Sequence, residues 1–172
     1  MTEEENTKAE EYFNEAKSYC KKNNYTMASL YLEKAVNLGH ILAHHLLATL
    51  CYKGLGVEKD IDKAIKLFEV SANAGIIESQ QNVGALYLQK SDITSSSAEK
   101  VSAWSSARMW LQKAADQGST DSMYNLGIYE ESYMEDFKEA GKWYEKAARL
   151  GHPQALDALR DLCRKGLYYV NM

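Results

Sequence analysis

The feature that most constrains this chain is a segment that returns four times. It reads LEKAVNLG at 32–39, FEVSANAG at 68–75, LQKAADQG at 111–118 and YEKAARLG at 144–151. Each copy runs from a large apolar residue through charged and small residues to a glycine. The glycines, Gly39, Gly75, Gly118 and Gly151, lie 36, 43 and 33 residues apart. Periods of that length fit one helix pair per repeat, a unit that buries its apolar face by stacking on its neighbours. Backward from Gly39, the residues Tyr25, Ala28, Tyr31, Leu32 and Ala35 fall three and four apart, on one face of a helix. Ile61, Ala64, Leu67, Phe68 and Ala72 repeat the pattern, as do Phe137, Ala140, Trp143, Tyr144 and Ala147. A glycine after each such helix suits a left-handed C-cap.

A further helix follows each glycine, starting near Ile41, Ile76, Ser119 and His152. These share a small residue near the start (Ala43, Ser79, Ser122, Ala155) and an aliphatic one four positions on (Leu47, Val83, Leu126, Leu159). Gly84 and Gly127 fall mid-helix, in the slot that holds Ala48. Glycine there costs about 0.5–1 kcal/mol against alanine, a cost that makes sense if a partner helix crosses close to the backbone. The single proline, Pro153, leaves long stretches free to run as helix.

The string Leu47-Ala48-Thr49-Leu50-Cys51-Tyr52-Lys53-Gly54-Leu55-Gly56-Val57, followed by Asp60, Lys63, Ala64 and Ala72, resembles the Sel-1-like repeat. The first unit, with Ala16, Tyr19, Tyr25, Ala28 and Ala35, is similar to a tetratricopeptide repeat. The resemblance covers roughly residues 6 to 166. It implies an all-α fold: an α-solenoid, a right-handed superhelix of about four antiparallel helix pairs plus a C-terminal capping helix. The whole chain, 1–172, reads as a single domain with units at about 6–39, 40–75, 76–118 and 119–151 and a capping helix at 152–166. Three departures stand out. The third unit lacks the Gly-x-Gly-Val loop and carries a serine-rich insertion at 89–102, which reads as an exposed loop. The fourth is shortened and has Glu130 where the family has tyrosine. The last helix, Pro153–Lys165, has no partner after it, and Arg160 replaces its small residue.

A net charge of −4 argues against nucleic acid, and no apolar run reaches the length of a membrane span. Residues 1–11 lack the basic start and apolar core of a secretory signal, and Cys20, Cys51 and Cys163 lack metal or disulfide spacing, so reduced, mostly buried thiols in a cytoplasmic protein are expected. His40, His44 and His45 share a helix start, but His40 follows Gly39 as His152 follows Gly151, so the repeat explains both and no metal is expected. No histidine stands at a helical spacing to activate Cys51 or Cys163, and the paired cysteines of relatives linked to β-lactam chemistry are absent. No carboxylate pair stands out among the 24 acidic residues, and the aromatic residues read as core by their spacing. No catalytic residue and no cofactor is expected.

The resemblance places first-helix residues on a concave groove: Phe13, Asn14 and Lys17; His45, Thr49 and Tyr52; Gln81, Asn82, Ala85 and Leu88; Tyr124, Asn125 and Ile128. Asn14, Asn82 and Asn125 share a slot at which tetratricopeptide relatives bond the backbone of an extended peptide, a role that suits an amide able to donate and accept. The alternative is that these asparagines only tolerate a wet surface. The expected function is a non-catalytic adaptor that holds a protein or peptide partner; the oligomeric state is left open, with a monomer favoured. Many Sel-1-like proteins are bacterial, so the alternative is an immunity protein that neutralises a toxin by binding it. A third reading, an enzyme using groove carboxylates, ranks below both.

Overall fold

The computed structural model describes residues 2–169, and within them the chain forms nine helices and no strand. These are α1 (Glu3–Lys21), α2 (Tyr25–Asn37), α3 (Ile41–Lys53), α4 (Ile61–Asn73), α5 (Ile77–Ile93), α6 (Ser97–Asp116), α7 (Thr120–Ser132), α8 (Phe137–Arg149) and α9 (Ala155–Arg164). They divide into two compact units, Met1–Ser79 and Gln80–Met172.

Local chemistry sets the helix boundaries. Every second helix opens on a polar side chain that accepts the N–H three residues on: Asn24 from Met27 (3.2 Å), Asp60 from Lys63 (2.8 Å), Ser96 from Glu99 (3.4 Å) and Asp136 from Glu139 (2.9 Å). Each such cap is worth about 1 kcal/mol. At the other end Gly39 takes φ +75°, and the N–H groups of Gly39 and His40 bond the carbonyls of Val36 (2.8 Å) and Ala35 (3.0 Å). The same pair of bonds recurs after Gly75, Gly118 and Gly151, as the C-cap expectation required.

In the first unit Ala28, Leu32 and Ala35 of α2 are fully buried, and Phe68 of α4 packs in the same way. Gly56 closes this unit's α3–α4 loop at φ +69°, and a Cβ there would lie 2.2 Å from the Tyr25 carbonyl carbon, so only glycine fits. In the second unit Leu111, Leu126, Tyr144 and Leu162 are buried. A Cβ on Gly84 would stand 2.5 Å from Leu111 Cγ, and one on Gly127 would stand 2.3 Å from the Tyr144 ring. The mid-helix glycines therefore mark close helix crossings. Of the aromatic residues expected in the core, Phe68, Trp110 and Tyr144 are buried, whereas Tyr31 and Trp143 are half-buried.

Three expectations need correction. The insertion 89–102 is largely exposed, with Ser91 buried and Thr94, Ser96 and Lys100 half-buried, but it is not a loop: α5 runs to Ile93, α6 starts at Ser97, and only 94–96 are non-helical. Its serines serve helix ends, Ser96 as the cap of α6 and Ser91 by donating to the Leu88 carbonyl (2.7 Å), and this is why composition misread them. The last helix starts at Ala155, two residues later than expected, because Pro153 and Gln154 form a turn. Beyond it the chain folds back, so that Tyr168 covers Gly141 and donates to Glu145 (2.9 Å). Finally, Cys51 is buried but Cys20 and Cys163 are only half-buried.

Candidate protein-binding face

In the first unit most of the expected face is committed to holding the helices together. Phe13 is buried, its ring stacked on the His40 imidazole at 4.4 Å, so it cannot meet a partner. His40 Nε2 lies 2.9 Å from the Glu10 carboxylate of α1, and its Nδ1 accepts the Ala43 N–H of α3, so one ring ties two helices. Asn14 spends its amide on Glu10 (3.1 Å), and Lys17 lies over the Phe13 ring at 5.2 Å. The Thr49 hydroxyl donates to the His45 carbonyl (3.0 Å). Tyr52 stays exposed beneath the Lys59 ammonium at 5.8 Å.

The second unit leaves more available. Its first helices α5 and α7 lie side by side, joined at one end by Gln81 donating to Asp121 (3.0 Å) and at the other by Tyr133 donating to Asp92 (2.9 Å). Leu88, expected on the groove, lies between those ends and is buried in the core cluster with Leu111, Leu126 and Tyr129. Tyr124 is held by its stack on His152 at 4.4 Å, the ring that also meets Asp121 at 3.2 Å. Asn82, Asn125 and Ile128 are half-buried and Ala85 is exposed. Among the described residues neither Asn82 nor Asn125 has a side-chain hydrogen bond, whereas Asn14 in the same slot does. Two open amides on adjacent helices are what remains of the predicted ladder.

The other constellations have structural uses. His44 is buried with its Nδ1–H donating to the His40 carbonyl (3.0 Å), and among the described residues no three metal-ligating side chains converge. Tyr12, Tyr19 and Tyr31 form an aromatic cluster, but Lys34 already lies over Tyr31 (4.8 Å) and Tyr12 (5.4 Å). Burial pushes the Cys51 and Cys20 thiols up, away from the nucleophilic thiolate.

Two polar groups named in the sequence have surroundings that it did not signal. His45 Nδ1 lies 2.7 Å from the Ser79 hydroxyl, which is 2.7 Å from the Ser71 hydroxyl. A His–Ser pair resembles a nucleophile with its base, but Ser79 is fully buried, so no substrate reaches it. Burial lowers the His45 pKa against a smaller upward pull from Glu78. The unfolded chain therefore takes up a proton before the native one does. Stability should fall as pH drops below about 6.5, the ordinary histidine value, and level off below the native value. Thermal melts of wild type and His45→Gln from pH 7.5 to 5 check this, and the variant should lack that fall. The second group is Glu130, which is 6% exposed and bridged to Arg108 Nε at 3.5 Å. Burial raises its pKa more than Arg108 lowers it.

The family model described as the Sel1 repeat matches this chain four times in succession, at residues 9–40, 41–76, 77–119 and 120–152. The chain belongs to the Sel1 repeat family. Sel1 repeats generally serve as protein-interaction modules and are typically non-catalytic. The mouse protein named DAP3-binding cell death enhancer 1 is 30% identical, over 83% of this chain and 34% of its own length. The rat protein of that name matches equally, so the chain spans about a third of these curated relatives. Among solved structures, c5321, a protective antigen of uropathogenic Escherichia coli strains with an SLR fold, aligns with TM-score 0.75 at 25% identity, over 92% of this chain and 34% of that one. A Sel1 repeat protein from Oxalobacter formigenes aligns with TM-score 0.69 at 21% identity, over 90% of this chain and 63% of that one. These likenesses bear out the all-α solenoid class. No helix among the described residues is long and apolar enough to cross a membrane.

Proposed function

We propose that this Sel1 chain is a non-catalytic adaptor that holds an extended segment of a partner protein along α5 and α7. The observation that carries this reading is the pair of unbonded amides, Asn82 and Asn125, in equivalent slots of two helices joined at both ends. An amide presents a donor and an acceptor at once and so matches a peptide group of the partner backbone. Ala85 and Ile128, one turn along, add a small and an apolar contact. The partner bound by the rodent relatives is named DAP3, which supports a protein as ligand here too. Three free cysteines suit a reducing compartment such as the cytoplasm.

The test is capture from the source cell with wild type beside Asn82→Ala/Asn125→Ala, the bound proteins being identified by mass spectrometry. Each amide lost at an interface should cost about 1–2 kcal/mol, so capture should fall more than tenfold with melting unchanged. Equal capture by the variant would sink the amide-ladder reading. A captured toxin whose activity the chain blocks would identify an immunity protein.

A further inference from the structure

We propose that the groove between α6 and the end of α7 is a second docking site, which takes an apolar side chain flanked by a carboxylate from an acidic helical segment of a partner protein. This goes beyond the α5–α7 reading and stands without it.

Two departures from the Sel1 pattern meet at this groove. The insertion lengthens α6 to 20 residues against 13 in α2, α4 and α8, which adds the turns that carry Val101 ahead of Trp104, the position that holds Tyr25, Ile61 and Phe137 in the other units. Glu130, in the family's tyrosine slot, is buried behind the groove and holds Arg108 at its wall. The result is an open groove of about 700 Å³ whose lining includes Val101, Trp104, Arg108, Met109, Lys113 and Met134. Val101, Met109 and Met134 are 60%, 46% and 42% exposed, a large apolar surface to leave in water. Methionines suit such a surface because their flexible thioethers adapt to a partner's shape.

Charge names the occupant. The only charged groups in the lining, Arg108 and Lys113, are cations, although the chain carries −4 overall. A guanidinium held by a buried carboxylate is pre-positioned for a second carboxylate from outside. The Trp104 indole N–H is buried and has no acceptor among the described residues. An apolar residue with Asp or Glu one helical turn away would satisfy the apolar and cationic features together. An amphiphile such as a fatty acid shares that chemistry, but small ligands need a site that encloses most of their surface, and this groove is open along its length.

The test is panning of a random peptide library on the full chain, followed by fluorescence-polarisation titration of the enriched peptides. Wild type is compared with Met109→Glu, Lys113→Glu and Asn82→Ala/Asn125→Ala, with dodecanoate as competitor. Met109 and Lys113 are exposed, so both variants should melt as wild type does. Enriched peptides should pair a large apolar residue with a nearby carboxylate. Their affinity should fall at least about tenfold in Met109→Glu and in Lys113→Glu, and hold in the asparagine pair. Replacing the peptide carboxylate with lysine should restore binding to Lys113→Glu. Enrichment of basic peptides, undiminished binding to Met109→Glu, loss only in the asparagine pair, displacement by micromolar dodecanoate, or no enrichment at all would each overturn the proposal.

Discussion

Replacing Gly127 with alanine should destabilise this protein by about 1–3 kcal/mol, although alanine is the better helix former by about 1 kcal/mol. The new methyl would stand 2.3 Å from the Tyr144 ring, well inside contact distance. That ring cannot step aside: Tyr144 is 1% exposed, and its hydroxyl donates to Glu131 at 2.8 Å. Overpacking thus outweighs propensity. Tyr144→Ala alone should cost about 3–5 kcal/mol, the usual loss for a buried aromatic residue. In that background Gly127→Ala should become neutral or stabilising, because the clash is gone while the helix preference remains. Urea unfolding of the four proteins in this cycle measures the coupling. Additive single effects would show that the Gly127 slot does not exist to admit Tyr144.

Glu130→Gln should raise stability at neutral pH, whereas Arg108→Ala should lower it by roughly 1–2 kcal/mol, less than for a fully buried pair because Arg108 is half exposed. Burial lifts the native Glu130 pKa above its unfolded value. The native state therefore holds that proton more tightly than the unfolded chain does. This contribution is fully present below the ordinary carboxylate range and is lost as pH rises through the raised native value. Wild type should lose stability across that window, and Glu130→Gln should not. The two curves should converge below about pH 4, where both carboxyl states are neutral. Melting temperatures between pH 3.5 and 8 would show the difference, and parallel curves would mean that Glu130 is solvated. Arg108→Ala should steepen the fall, because the buried carboxylate then has lost its cation.

Part of the proposed site can be named from the sequence, but unevenly. Asn82 and Asn125 are placed on the groove by slot, and among the described residues their amides have no side-chain hydrogen bond. Asn14 occupies the same slot, yet Glu10, one turn earlier, takes its amide. Phe13 and Leu88 were placed on the groove by the same slot logic and turned out to be buried, because His40 and α7 cover them. The covering residues lie far along the chain from what they cover, where helical periodicity carries no signal.

The sequence alone determined the helical repeats. Glycine at 39, 75, 118 and 151, the three-and-four spacing and the small residues at crossing points are local requirements of helix ends and close contacts, so they show directly in residue order. It also marked Gly84 and Gly127 as packing positions, and the rings and chains that fill those spaces are now visible. Only the tertiary structure decided which polar groups leave water. Glu130 reads as a shortened unit's stray charge until α6 is laid over it, and the serine-rich insertion reads as a loop until Ser96 is seen to cap a helix. Burial and pairing belong to neighbours brought together by folding, and residue order does not record who those neighbours are.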